Sequence, residues 1–188
     1  MNSGTDPAEV RLTGENSFIG LKESQDGPET ARISFWRILY SPHGHGHVLF
    51  IKGSPQPNTD GVYHDNEPLA RWIREEIERD CVPENPSFVS ASFARSGDTS
   101  STWIEQVEAQ GTSIALSWGQ LNAPFVLRTA VGDMPDDRPH GVYTVFFPAR
   151  DASIAVNGVK ARGQAVPLDF FDRTGTTACL ALSETWVR

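Results

Sequence analysis

The segment ARISFWRILY, residues 31–40, decides the fold that this sequence predicts. Phe35, Arg37 and Leu39 are two residues apart, and the residues between them form a second set with the same spacing. A period of two is typical of a β-strand, because successive side chains of a strand point to opposite faces. The segment therefore predicts a long strand, and the rest of the chain should supply the strands that pair with it.

Further segments have the composition or alternation of strands and are separated by turn residues. They cover residues 47–52, 87–95, 101–109, 112–119, 124–131, 141–147, 154–156, 159–161 and 176–187. Asn157-Gly158 stands between two of them, and this dipeptide is typical of a tight β-hairpin. Short strands at regular spacing predict a mainly β fold, an antiparallel β-barrel of about ten strands, with a two-sheet β-sandwich as the alternative.

One segment has the spacing of an amphipathic helix, at residues 67–79. Leu69, Ile73 and Ile77 recur every four residues and form an apolar stripe. Either residue of the pair 65–66 can cap the first turn. We expect this helix to lie against the sheet or across one end of a barrel.

The length and charge of the chain predict a single domain and argue against some classes of partner. The chain has 188 residues and a formal net charge of -8, and its 16 lysines and arginines form no cluster. A protein that binds nucleic acid or an anionic membrane surface normally carries a basic patch, so neither partner is expected. Residues 1–15 lack periodicity and are predicted to be a flexible tail, which leaves residues 16–188 as the domain.

The polar, acidic start of the chain has none of the features of a secretory signal. No run approaches the roughly 20 apolar residues of a transmembrane helix. We therefore expect a cytoplasmic protein.

Three histidines follow the first strand in the segment SPHGHGH, residues 41–47. In an extended chain the imidazoles of His43, His45 and His47 would point the same way and could share a divalent transition metal such as zinc. The alternative is a flexible glycine-containing loop whose imidazoles are solvated. The sequence leaves both possibilities open.

Charged residues interrupt three apolar strand faces. On one strand face Arg37 lies between Phe35 and Leu39. On a second face Glu105 lies between Trp103 and Val107, and on a third Glu184 lies between Leu182 and Trp186. An inward carboxyl group among apolar residues has a raised pKa and can act as a general acid or base, so Glu105 and Glu184 are candidate catalytic residues. An inward arginine can bind a carboxylate or phosphate, which makes Arg37 a candidate ligand-binding residue.

Large or polar-tipped side chains complete the predicted pocket. They are Tyr40, Tyr63, His64, Trp103, Trp118 and Trp186. Together these residues favour a lipocalin-like barrel that binds a small, mainly apolar molecule, by analogy of fold only, since the Gly-x-Trp signature of lipocalins is absent. The alternative is a barrel enzyme that acts on a small organic substrate. Self-association through an apolar strand face at Trp36, Ile38 and Tyr40 would make a homo-oligomer.

Overall fold

The computed structural model describes residues 9–78, 81–82, 84–133, 139–170 and 173–188. These ranges contain thirteen strands and one helix. In chain order they are β1 (Val10–Lys22), β2 (Glu29–Tyr40), β3 (Gly46–Lys52), β4 (Gly61–His64), α1 (Glu67–Glu76), β5 (Phe88–Gly97), β6 (Thr102–Ala109), β7 (Thr112–Leu121), β8 (Phe125–Thr129), β9 (Gly141–Val156), β10 (Val159–Lys160), β11 (Pro167–Phe170), β12 (Arg173–Thr176) and β13 (Ala178–Val187).

Nine strands close into a barrel within the described part of the chain. The order around the barrel is β9-β13-β1-β2-β3-β4-β5-β6-β7, and β7 pairs back to β9. Strands β8 and β10 also pair with β9, and β11 with β12 forms a separate hairpin. The predicted mainly β fold and barrel are confirmed, and the barrel is mixed because β4 and β5 are parallel. Helix α1 supplies the crossover that a parallel pair requires.

Apolar side chains fill the barrel. Ile33, Leu49, Leu116 and Ile154 all have no exposed surface. The Trp118 ring is also fully buried, and its indole Nε1 donates a hydrogen bond to the carbonyl oxygen of Phe18 on β1, at 3.0 Å. The deep interior is therefore a packed core of the kind that fills small barrels.

Helix α1 packs on the outside of the barrel. Leu69 and Ile73 are buried in one cluster with Trp36 and Ile38 from the outer face of β2. Asn66 caps the helix, since its Oδ1 accepts a hydrogen bond from the backbone N–H of Leu69 at 3.2 Å. The apolar strand face that we expected to mediate self-association is thus covered by the chain's own helix, apart from Tyr40.

The first strand begins at Val10, inside the segment predicted to be a flexible tail. Its backbone pairs with the end of β13, and Leu12 is fully buried in the cluster beneath α1. This strand lacks clear alternation because bulges shift its register against β13. Among the residues that the structure describes, there is no helix long and apolar enough to cross a membrane.

Candidate functional site at the barrel mouth

Solvent reaches the interior face of the barrel at one end. Along the inward side of β2, Ile33 and Phe35 are buried, Arg37 is half-buried and Leu39 is 71% exposed. We call this end the barrel mouth. It is formed by the inward residues Glu15, Arg37, His47, Phe93, Arg95, Trp103 and Glu105.

An arginine and two carboxylates form an ion-pair network in the mouth. The Nε of Arg95 donates to Oε1 of Glu105 at 2.5 Å, and its two terminal nitrogens donate to the carboxylate of Glu15. The guanidinium also lies 4.4 Å from the ring centroid of Trp103, whose indole Nε1 donates to Oε1 of Glu105 at 2.9 Å. Arg95 thus has both a bidentate partner and a second carboxylate.

These contacts set the protonation of the network. Burial raises the pKa of Glu105, and the hydrogen bond from Trp103 and the charge of Arg95 oppose that rise without cancelling it. Burial disfavours a charged Arg95, but its two carboxylate partners raise its pKa above the ordinary value. Arg95 therefore remains a cation, and Glu15 and Glu105 neutralise its charge within the protein.

Arg37 has a different environment, although it faces the same space. It lies in register between Glu15 on β1 and His47 on β3. Among the described residues, no side chain or backbone group forms a hydrogen bond or ion pair with its guanidinium. The mouth therefore contains a half-buried cation whose hydrogen-bond donors face no protein acceptor.

The wall beside Arg37 is aromatic and rigid. The His47 ring stacks on Phe93 with centroids 5.0 Å apart, and Phe93 also contacts Phe35 at 6.0 Å. Asp65 fixes the imidazole, because its carboxylate accepts from the backbone N–H of His47 and lies 2.6 Å from ring Nδ1. This wall offers an apolar surface next to the free guanidinium.

Hydroxyl groups and exposed apolar side chains form the rim. Four neighbouring strands place Tyr143, Thr185, Thr13 and Tyr40 in register across the sheet. Tyr143 is 45% exposed and Tyr40 is 53% exposed. Exposed aromatic side chains are a common feature of binding surfaces.

The structure gathers some of the residues proposed from sequence and separates others. Arg37, Tyr40, Trp103 and Glu105 all lie at the mouth. Trp118 lies deeper, as part of the core that closes the mouth from below.

Tyr63 and His64 occupy opposite faces of β4. Tyr63 faces the deep interior and donates its hydroxyl hydrogen to the carbonyl oxygen of Thr59 at 3.0 Å. His64 is buried on the outer face, where its ring lies 6.2 Å from that of Phe88, and burial lowers its pKa. Neither side chain belongs to the mouth.

Glu184 and Trp186 lie on the outer wall, beneath α1. The pairing of β13 with β9 shifts register between Ala181 and Glu184, so Leu182 packs against the interior while Trp186 joins the outer cluster. The prediction that Leu182, Glu184 and Trp186 share an inward face is therefore wrong, because a bulge interrupts the alternation. Glu184 does not meet Arg37.

Burial raises the pKa of the Glu184 carboxyl to about 7. The indole Nε1 of Trp186 donates to its Oε1 at 2.5 Å, and this hydrogen bond opposes the rise without cancelling it. In the described ranges no lysine or arginine forms an ion pair with it. The group is therefore neutral in a large fraction of molecules at neutral pH.

The three histidines of residues 43–47 are not brought together. His43 stacks on Trp72 of α1, His45 is exposed, and His47 turns into the mouth. The positive φ of 88° at Gly44 breaks the extended conformation that would align them. No group of three potential ligands among the described residues could hold a metal ion.

Three residues of the mouth, Glu15, Phe93 and Arg95, were not proposed from sequence. Arg95 follows Phe93 at a spacing of two in a predicted strand, so alternation could have indicated that it faces inward. Glu15 falls in the segment predicted to be a tail and gave no comparable signal.

No known protein family, curated protein or solved structure matches this chain. A function can therefore be inferred only from the geometry of its own residues.

Proposed function

We propose that this protein binds a small organic anion with an apolar body at the barrel mouth, and that Arg37 holds the anionic group. The observation that carries the proposal is the inward-facing Arg37, a partly buried residue whose guanidinium has no partner among the described residues. Its hydrogen-bond donors are therefore open to an anion that enters the mouth. A carboxylate, sulfonate or phosphate can pair with a guanidinium through two hydrogen bonds.

The surroundings favour an apolar or aromatic body on that anion. Phe35, Phe93 and the fixed His47 ring form one side of the mouth. Trp118 limits the depth, so the ligand occupies only the outer part of the barrel. This is the small, mainly apolar ligand expected from sequence, with an anionic group added.

Within this proposal Glu105 and Glu15 are positioning residues. They hold Arg95 and neutralise it, which leaves Arg37 as the cation available to a ligand. We assign Glu105 this role in preference to a catalytic one, because its Oε1 already accepts from both Arg95 and Trp103.

A matched pair of fluorescent probes tests the proposal. The first is 8-anilinonaphthalene-1-sulfonate, and the second is N-phenyl-1-naphthylamine, which has the same aromatic body without the sulfonate. We expect saturable binding of the sulfonate to the native chain. Arg37→Met should weaken it about 10- to 100-fold, the value of a charge-assisted hydrogen bond or two. Binding of the neutral probe should not change.

Arg173→Met is the control, because Arg173 is exposed on the outer hairpin and should not affect either probe. The proposal is contradicted if the sulfonate shows no saturable site. It is also contradicted if Arg37→Met weakens both probes equally, since the guanidinium would then have no specific role toward the anion.

We also propose a cytoplasmic location. Cys81 and Cys179 are both free and buried, and unpaired thiols are the usual state in a reducing compartment. Imaging of the fluorescently tagged chain in its cell of origin tests this, and an extracytoplasmic signal would contradict it.

A further inference from the structure

The imidazole of His47 lies beside the guanidinium of Arg37 in the barrel mouth. The two residues are paired in register on β3 and β2, and both side chains face inward. Side chains directly opposite each other on two antiparallel strands have Cβ atoms about 5 Å apart. A small ligand whose anionic group lies at Arg37 can therefore contact the His47 ring as well.

Asp65 determines which ring nitrogen of neutral His47 carries the hydrogen. Its Oδ2 lies 2.6 Å from Nδ1, and its Oδ1 accepts from the backbone N–H of His47, also at 2.6 Å. Since a carboxylate can only accept hydrogen bonds, Nδ1 is the donor in this contact. The hydrogen of the neutral ring is therefore on Nδ1, and Nε2 keeps a lone pair.

The Nε2 atom of His47 is open to a ligand. In the part of the chain that the structure describes, Nε2 has no hydrogen-bond partner, and it is not buried. The side chain is 26% exposed, and its ring is stacked on Phe93 with 15° between the planes. The mouth thus holds a fixed, free acceptor beside the free donors of Arg37.

A hydroxyl group is the donor that fits this acceptor best. An ammonium group would also donate to Nε2, but it would lie next to the positive charge of Arg37. A hydroxyl group donates without adding charge. The rings of Phe35 and Phe93 lie 6.4 Å and 5.0 Å from the His47 ring, so the body that carries the hydroxyl group would contact an aromatic wall.

We infer that the ligand of the mouth is an aromatic anion that also carries a hydroxyl group, such as a hydroxybenzoate. Its carboxylate pairs with Arg37, and its hydroxyl group donates to Nε2 of His47. This inference rests on the proposed function, because Arg37 must hold the anion. His47 is then a specificity-determining residue, and Asp65 is a positioning residue that acts through the His47 ring.

Isothermal titration at pH 8, where free imidazole is neutral, tests the inference with 3- and 4-hydroxybenzoate, the corresponding methoxybenzoates and benzoate. A methoxy oxygen can accept a hydrogen bond but has no hydrogen to donate. For at least one of the two positions, the hydroxy compound should bind about 3- to 10-fold more tightly than its methoxy counterpart and than benzoate, as expected for one hydrogen bond.

Two variants test the role of the ring through the ratio of hydroxy to methoxy affinity. His47→Phe keeps a ring against Phe93 and removes the acceptor, so the ratio should fall to about one. Asp65→Asn keeps an acceptor for the backbone N–H and turns an amide N–H toward Nδ1, which moves the ring hydrogen to Nε2. Both compounds can accept from that N–H, so the preference should again be lost. His45→Phe, exposed in the same loop, is the control and should leave the ratio unchanged.

A ratio of about one at both positions in the native chain would overturn the inference. So would a preference for the hydroxy compound that persists in either folded variant, His47→Phe or Asp65→Asn. Arg37→Met distinguishes this failure from that of the proposed function. If it weakens binding of hydroxy and methoxy compounds alike, the anion site stands and only the role of His47 is wrong. If it weakens neither, the anion site itself is wrong.

Discussion

Glu105 and Glu184 are two buried glutamates that have the same local hydrogen bond but different ion-pair partners. Each carboxyl group accepts from the indole N–H of a tryptophan two residues away, Trp103 for Glu105 and Trp186 for Glu184. Their residues are 3% and 4% exposed. Glu105 lies inside the barrel and pairs with Arg95, whereas no such cation is paired with Glu184 among the described residues.

The difference shows what decides whether a buried carboxyl group is an anion. Burial raises both pKa values. Arg95 opposes the rise at Glu105, whereas no lysine or arginine in the described ranges opposes it at Glu184, whose pKa reaches about 7. Hydrogen bonds from an indole are present at both sites and are therefore not sufficient. Arg95 therefore distinguishes the Glu105 site, together with the deeper burial of the Glu184 carboxyl group.

Removing that cation should have the largest effect. Arg95→Met leaves Glu105 and Glu15 without their partner, and breaking a buried pair in this way costs about 4 kcal/mol of unfolding free energy. The loss should be greater at pH 8 than at pH 5, because protonation can relieve the unpaired carboxylates. Urea unfolding at the two pH values measures it.

Arg71→Met is the matched control for that variant. It breaks the exposed Arg71–Glu67 pair on α1 and the contact of the Arg71 guanidinium with the Phe88 ring, which together should cost no more than about 1 kcal/mol. Adding Glu105→Gln to Arg95→Met should restore part of the stability. If Arg95→Met costs as little as the control, the network does not have the role described.

Glu184→Gln should raise the unfolding free energy, in contrast to Arg95→Met. The folded pKa of about 7 lies above the usual value of the unfolded chain, so the folded state binds a proton more tightly and Glu184 lowers stability as the pH rises toward 7. The variant removes this loss and should be more stable than the native chain at pH 8, by about 3 kcal/mol.

The useful quantity is the difference in unfolding free energy between variant and native chain at each pH, since contributions common to both chains cancel in it. That difference should be largest above pH 7 and should disappear near pH 4. Glu75→Gln, at an exposed position, should show no such dependence. A Glu184→Gln difference that is flat with pH would mean that this carboxyl group is ionised like an exposed one.

Removing each indole donor should have the smallest effect on stability, and it compares the two carboxyl groups most closely. Trp186→Phe removes a donor to a carboxyl group without an ion-pair partner, and Trp103→Phe removes a donor to one that is paired with Arg95. The cavity created is common to both variants. The cost of Trp186→Phe should therefore grow by about 1 kcal/mol between pH 5 and pH 8, and that of Trp103→Phe should grow less.

Thermal unfolding of both variants across that pH range measures these costs. Equal pH dependence of the two variants would contradict the distinction between the paired and the unpaired carboxyl group.

Alternation in the sequence identified most of the barrel because each wall strand has an apolar interior face. The segment at residues 31–40 and strands β5 to β8, β10 and β13 were predicted within a few residues of their observed bounds. The predicted strands at 141–147 and 154–156 are parts of one long strand, β9, and the hairpin strands β11 and β12 were not predicted. The four-residue strand β4 was not predicted, because it is too short to show a period and follows a polar turn. The parallel β4–β5 pair therefore could not be anticipated either.

The candidate site could be predicted only in part, for two physical reasons. A bulge in β13 changes which residues share a face, so Glu184 is separated from Arg37. The partner of an inward charge is set by neighbours across the barrel, and the sequence gives no sign that Arg95, instead of Arg37, meets Glu105. Alternation predicts the direction of a side chain but not its contacts.

The most direct test of the central proposal uses the indole N–H signals in a proton–nitrogen correlation spectrum, assigned with Trp→Phe variants. Trp103 lies at the barrel mouth, and the Trp36 indole donates to Glu78 on the outer face of the barrel. Titration with 8-anilinonaphthalene-1-sulfonate should shift the Trp103 signal saturably, leave the Trp36 signal in place, and lose its effect in Arg37→Met. A shift of Trp36 without Trp103, or a Trp103 shift that persists in Arg37→Met, would contradict binding of an anion at the mouth.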